Sequence, residues 1–301
     1  MRNVLVLISS AAHPALNEGA VSAAADVLRA RGATVGTPDW LAPEIACDLP
    51  FDGPLDGPLE GPGDSVAMTA IDAVVVPAAG RRKKLLVADM ESTLIENEML
   101  DELADFLGLR GRIAAITARA MNGEIDFANA LAERVGLLKG LPIARLDEAA
   151  RRIRYTPGGA TLVATMKKHG AYCALVSGGF THFTILVKQA LGFDLDSANV
   201  LEHDGRVLAG TAAPPILGKE AKLAVLQRLA AEHGLSAADA VSVGDGANDL
   251  PMLKQAGLGV AFHAKPTVAA EMPVRIDHGD LTALLYLQGY RQSDFVERKD
   301  P

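Results

Sequence analysis

Leu85-Leu86-Val87-Ala88-Asp89-Met90-Glu91-Ser92-Thr93 is the stretch that decides the fold. Four apolar residues run into a carboxylate, and a second carboxylate and two hydroxyls follow. A short, continuous apolar run reads as a strand buried on both faces of a parallel sheet. Ligands of an open α/β sheet bind just beyond the carboxyl ends of its strands. Asp89 is therefore expected at the rim of a cleft. The same arrangement recurs twice. Residues 173–176 lead into Ser177-Gly178-Gly179-Phe180, and residues 240–243 lead into Gly244-Asp245-Gly246-Ala247-Asn248-Asp249.

Working outward, strands are expected at 85–88, 172–176, 240–243, 258–261 and 274–276, with helical stretches between them. Strand–helix alternation from 85 to about 290 implies an α/β fold, a Rossmann-like parallel sheet covered on both faces. Residues 98 to about 154 break the alternation. They show helical periodicity, charged faces and no strand candidate. An all-helical cap at about 96–155, inserted after the first core strand, would lie over the strand ends and exclude water. Asp204-Gly205, between extended runs in 199–211, signals a β-hairpin.

Residues 1–80 read as a separate small N-terminal α/β domain, and 81–301 as the main domain. The first contains a strand at 4–9, an Ala-rich helix at 14–31 closed by Gly32, an extended segment from Thr34-Val35 and a strand at 71–76. Residues 50–63 repeat Gly-Pro and Asp-Gly-Pro, a mark of irregular chain. His13 and Asp39 stand alone and read as structural. The small unit could regulate, or join two copies in a homodimer.

Composition narrows the function classes. Of 301 residues, 49% are hydrophobic and 22% charged, so the chain can bury a full core. A net charge of −8 does not steer nucleic acid or an anionic membrane towards it. The one basic run, Arg81-Arg82-Lys83-Lys84, reads as a solvated linker before a strand. No apolar stretch is long enough to cross a membrane, and the N-terminal run is too short for a signal peptide. Two cysteines, Cys47 and Cys173, suggest no disulfide framework. A soluble, cytoplasmic protein is expected.

The strand-end residues form an inventory for Mg²⁺-dependent phosphoryl transfer through an aspartyl-phosphate. Asp89 is the candidate nucleophile. Glu91, two positions on, could protonate the leaving alcohol and then deprotonate water. Ser177 and Lys219 would bind phosphoryl oxygens, with Gly178 and Gly179 allowing close backbone approach. Asp245 would complete a hard-oxygen Mg²⁺ site with Asp89 and a backbone carbonyl of the first loop. Asp249 would support the metal's waters or orient Lys219. Each piece alone is commonplace, a helix cap or a plain turn. The set in order carries the reading.

With these motifs the chain resembles the haloacid-dehalogenase superfamily and, within it, the phosphoserine phosphatase family, over residues 85 to about 290. Ala120-Met121-Asn122-Gly123-Glu124-Ile125-Asp126-Phe127 and Arg134-Val135 look like that family's helical cap. Residues 244–252 and Ala261-Phe262-His263-Ala264-Lys265-Pro266 look like its last catalytic loops. The resemblance implies hydrolysis of phosphoserine, the last step of serine biosynthesis, with Mg²⁺. It implies Asp89 as the phosphorylated residue, and Asp245, Asp89 and the carbonyl of Glu91 as metal ligands. Ser177, Gly178 and Lys219 would touch phosphate, with Asn248, Asp249 and Thr93 in support. Glu98 would read the substrate ammonium and Arg134 its carboxylate, under the apolar lid residues Met121 and Phe127. A zwitterion needs one partner of each sign, and arginine suits a carboxylate.

Glu91 departs from the family's Asp-x-Asp. It reaches roughly 1.5 Å further, and a misplacement of that order can cost ~10²-fold in rate. Three readings follow: a phosphatase, a phosphoserine:homoserine phosphotransferase like the similar enzymes with Asp-x-Glu, or a non-catalytic binder. Replacing Glu91 by aspartate is expected to raise phosphatase turnover.

Overall fold

The computed structural model describes residues 1–53, 70–121 and 124–301, without the side chain of Met121. Most of the Gly-Pro stretch, the Asn122-Gly123 pair and the Met121 side chain lie outside the described residues.

The N-terminal unit is an antiparallel sheet with a helix against it. Its elements are β1 (Asn3–Ser9), α1 (Glu18–Ala30), β2 (Thr34–Val35), β3 (Asp39–Ala42), β4 (Ala46–Asp52) and β5 (Ile71–Pro77). The strand order is β2-β4-β1-β5, and β3 pairs with β4. The first helix starts at Glu18, later than its Ala-rich pattern suggests, because the Asn17 side chain accepts the Ala20 N–H at 3.0 Å and caps it. The β3–β4 pair did not stand out in the sequence, and Pro50, read there as irregular chain, lies within β4.

The second sheet holds β6 (Leu85–Ala88), β7 (Tyr172–Phe180), β8 (Leu195–His203), β9 (Leu208–Ala213), β10 (Ala240–Gly244), β11 (Leu258–Phe262) and β12 (Arg275–Ile276). Its order is β12-β11-β10-β6-β7-β8-β9. All its pairs are parallel except β8–β9, the hairpin turned at Asp204-Gly205. β6 lies between β10 and β7, so the chain winds outward in both directions from it and leaves a crevice at its carboxyl end. The helices α2 (Met99–Asp105), α3 (Arg110–Met121), α4 (Phe127–Gly136) and α5 (Ala144–Ala150) form the insertion after β6. The covering helices are α6 (Gly159–Lys168), α7 (Thr181–Leu191), α8 (Lys219–Glu232), α9 (Leu250–Gln255), α10 (Pro266–Ala269) and α11 (Ala283–Leu287).

β6 is buried at every position, as its unbroken apolar sequence requires. One apolar cluster runs through both sheets and joins Val4, Val6, Val74 and Val76 to Leu258 and to Leu284–Leu287 of α11. The basic run is not a solvated linker. Arg81 is gripped by Asp48 and donates to the Leu287 and Tyr286 carbonyls at 3.1 and 2.9 Å. Arg82 lies 4.2 Å over the Tyr290 ring. Among the described residues no helix is long and apolar enough to cross a membrane.

Candidate active site

Asp89 is the first residue beyond β6, and its N–H donates to the Val243 carbonyl at 3.0 Å. That bond ties the first loop to β10, whose own loop carries Asp245 and Asp249. Carboxylate oxygens of Asp89, Asp245 and Asp249 lie within 4.8 Å of one another, and all three residues are buried. Three buried carboxylates repel, so positive charge has to stand among them.

The structure places Lys222 there, not Lys219. Lys222 Nζ lies 2.7 Å from Asp89 and 2.6 Å from Asp249, with its side chain 2% exposed. Lys219 opens α8 with a side chain 60% exposed, and its ion-pair partner is Glu220 at 3.8 Å. The physical reason is helix phase. Lys222 shares the buried stripe of α8 with Val225, Leu226, Leu229 and Ala230, and Lys219 projects past the helix start into solvent. A lysine on an apolar stripe was the available signal. Burial alone would lower Lys222, but Asp249 and Asp89 more than offset this and hold it charged, above the ordinary lysine range. Burial raises the Asp89 carboxyl to about 8; Asp249 adds repulsion and Lys222 opposes it.

Asp245 has its own cation. Lys265 Nζ lies 3.1 Å away, and the Lys265 N–H donates to the Asp245 carbonyl at 3.0 Å. Asp249 does not reach out freely to water. Its second oxygen accepts the Gly246 N–H at 3.0 Å, which holds the loop closed. Asn248 is half-buried on the same loop.

The end of β7 is glycine-rich for steric reasons. A Cβ on Gly179 would stand 2.9 Å from Glu91 Oε2, and one on Gly178 would stand 3.2 Å from the Phe127 ring. Phe127 of the cap therefore lies directly against this strand end. Ser177 is buried, and its Oγ accepts the Gly179 N–H at 2.9 Å. Ser177, Gly178 and Gly179 belong to β7 itself rather than to a loop after it. Asn199, which sequence reasoning missed, donates to the Gly178 and Leu217 carbonyls at 2.8 and 3.3 Å and accepts the Leu217 N–H at 2.7 Å. It ties this strand end to the segment before α8.

Glu91 Oε1 accepts the N–H of Met99, the first residue of α2, at 2.8 Å. Burial pushes the Glu91 carboxyl up to about 8, with Glu98 the next cause. Ser92 adopts a left-handed backbone, φ 54°, and its Oγ donates to Glu98 Oε1 at 2.8 Å. Thr93 Oγ1 is buried and has no hydrogen-bond partner among the described residues. A buried hydroxyl with no partner is uncommon and marks a place where a ligand or water completes the bonding. Arg134 is half-buried on α4 and donates to the Ala130 carbonyl at 3.2 Å. Burial lowers its pKa, while Glu91, Glu98 and Asp101 pull it back up. Its Nη1 also donates to Thr117 Oγ1 at 3.5 Å, and among the described residues it makes no ion pair.

Comparison with known proteins gives the family. Residues 86–254 match the family model for haloacid dehalogenase-like hydrolases. The chain is 45% identical over 210 residues to the phosphoserine phosphatase of a Polaromonas species, 68% of this chain and 89% of that protein. It is 41% identical over 237 residues to the phosphoserine phosphatase of Streptomyces coelicolor, 78% of this chain but only 57% of that longer protein. The crystal structure of a haloacid dehalogenase family hydrolase from Salmonella enterica superimposes with a TM-score of 0.80 at 28% identity, covering 95% of this chain and 97% of that one. The chain belongs to the haloacid dehalogenase-like hydrolase family, on its phosphoserine phosphatase branch.

Proposed function

We propose that this protein hydrolyses O-phospho-L-serine to L-serine and phosphate through a phosphorylated Asp89. The observation that carries the reading is Asp89 itself. It is a buried carboxylate at the end of the central strand, 2.7 Å from Lys222 Nζ, and on this reading Glu98 and Arg134 would face it across the cleft. The Polaromonas and Streptomyces relatives of that name support the choice of substrate.

Arg134 would take the substrate carboxylate and Glu98 its ammonium, which sets the seryl oxygen towards Glu91. Asp89 attacks phosphorus; Glu91, protonated, delivers its proton to the departing serine oxygen and then takes one from water. Lys222 and the glycine-rich end of β7 would meet the phosphoryl oxygens, and the unpartnered Thr93 hydroxyl is free to donate there. Asp89 and Asp245, with the Glu91 backbone carbonyl, would hold Mg²⁺; an all-oxygen donor set with two clustered carboxylates fits a hard cation. When bound, the ion supplies neutralisation of phosphoryl charge.

The test is phosphate release from L-phosphoserine with Mg²⁺, with and without homoserine. Metal-dependent release that vanishes in Asp89→Asn is expected. Activity surviving in that variant would remove Asp89 as nucleophile. Phosphate diverted to homoserine would replace hydrolysis by transfer.

A further inference from the structure

A carboxylate of the N-terminal unit reaches the second sheet through three backbone N–H groups. Asp72 lies on β5, 5% exposed. Its Oδ1 accepts the N–H of Asp277 at 2.8 Å and of His278 at 3.1 Å, and its Oδ2 accepts the N–H of Gly279 at 2.8 Å. Three successive N–H groups converging on one carboxylate form an anion nest filled from within the chain. It fixes both the position and the direction of the Gly279 peptide.

The Gly279 carbonyl accepts from His263 Nε2 at 2.8 Å. His263 follows β11 and has a left-handed backbone, φ 43°. Residues other than glycine seldom adopt that region, and they persist there only when their surroundings hold them. Two bonds hold this one, the ring bond to Gly279 and the N–H bond to the Ile276 carbonyl at 2.8 Å. The turn aims the next residues at the active site. Two positions on, Lys265 bonds Asp245 by its N–H at 3.0 Å and by its ammonium at 3.1 Å.

The geometry points to Asp72 as a positioning residue for the active site, acting through the Gly279 carbonyl and the His263 ring to hold the turn that carries Lys265 to Asp245. The catalytic consequence rests on the phosphatase reading above; the structural consequence does not. Spatial continuity alone does not establish coupling, so the test compares variants along this path with one beside it.

Asp72→Ala removes the acceptor. His263→Asn tolerates the left-handed backbone but is too short to reach Gly279. Asp72→Asn keeps one acceptor oxygen. Asp48→Ala breaks another buried polar contact between the units, Asp48 with Arg81, off the path. In full-length protein, amide hydrogen exchange at the Lys265 N–H is measured with phosphoserine kinetics. Exchange at Lys265 is expected to rise ~10-fold or more in Asp72→Ala and His263→Asn, less in Asp72→Asn, and to stay at the parent rate in Asp48→Ala. kcat is expected to fall ~10-fold in the first two with KM within about twofold. The double variant should be no worse than the worse single one. Lys265 exchange unchanged in both Asp72→Ala and His263→Asn, or raised equally by Asp48→Ala, would overturn the proposal. The exchange measurement also reads His263→Asn if Asp72→Ala fails to fold. A parent protein that releases no phosphate would sink the phosphatase reading and leave the exchange result to decide the positioning claim.

Discussion

Lys222 and Glu91 show how much one side chain decides here. Lys222 bridges the buried acids Asp89 and Asp249, so its removal leaves them without their cation. Lys222→Ala is expected to cost ~3–5 kcal/mol, whereas Lys219→Ala, at an exposed helix start, should stay within ~0.5 kcal/mol of the parent. Urea melts of the two variants separate them, and equal midpoints would overturn the assignment of Lys222. The raised carboxyls give a pH test on metal-free protein. Asp89 and Glu91 titrate near 8 when folded, mainly through burial, against about 4 in an unfolded chain. The folded state therefore binds more protons between those values, and the stability these groups contribute is lost as pH rises through that window. With chelator present, the urea midpoint should fall from pH 6 to pH 8, and less steeply in Glu91→Gln. The same slope in both proteins would remove Glu91 from the account.

At the scale of elements, α2 is where the departure from aspartate finds a structural role. Glu98 at its N-cap makes no capping bond, and Glu91 supplies one from the catalytic loop instead. Aspartate, shorter by roughly 1.5 Å, would not reach Met99 without moving the cap. This bond motivates the prediction opposite to the one read from sequence. Glu91→Asp should lose ~1 kcal/mol of stability and lower phosphoserine turnover rather than raise it. Higher turnover at unchanged thermal stability would restore the earlier expectation. The cap reaches the phosphoryl end of the site as well, since Phe127 at the start of α4 packs on Gly178 and Gly218. On the proposed reading, this one insertion would both carry the substrate-reading charges and close the cleft.

For the whole molecule, the question is whether the N-terminal unit is an appendage. Its valines share an apolar cluster with α11, and Asp72, Asp48 and Asp39 each bind groups of the second unit. Deleting residues 1–80 would uncover Leu284, Leu285 and Leu287, all fully buried in the intact chain. The shortened protein is expected to melt well below the parent or to aggregate, read by circular dichroism and light scattering. An unchanged melting temperature would show that the second unit is self-sufficient.

The parallel sheet, the cap and the carboxylates at the strand ends were legible in the sequence. Their signals are local: an apolar run buried on both faces, a helical period, an acid directly after a strand. Asp89, Asp245 and Glu91 could be picked out because each stands at a fixed offset from its strand. What only the tertiary structure decided are choices among near-equivalents. Lys219 and Lys222 are three residues apart on one helix, and only packing selects the one that faces Asp89. Asn199 and His263 act by bonding backbone groups of distant segments, which leaves no local pattern. Asp72 sits in a plain apolar strand, and its three partners lie more than 200 positions away. Residue type and local period are written along the chain, whereas long-range hydrogen bonds exist only once the chain has closed on itself.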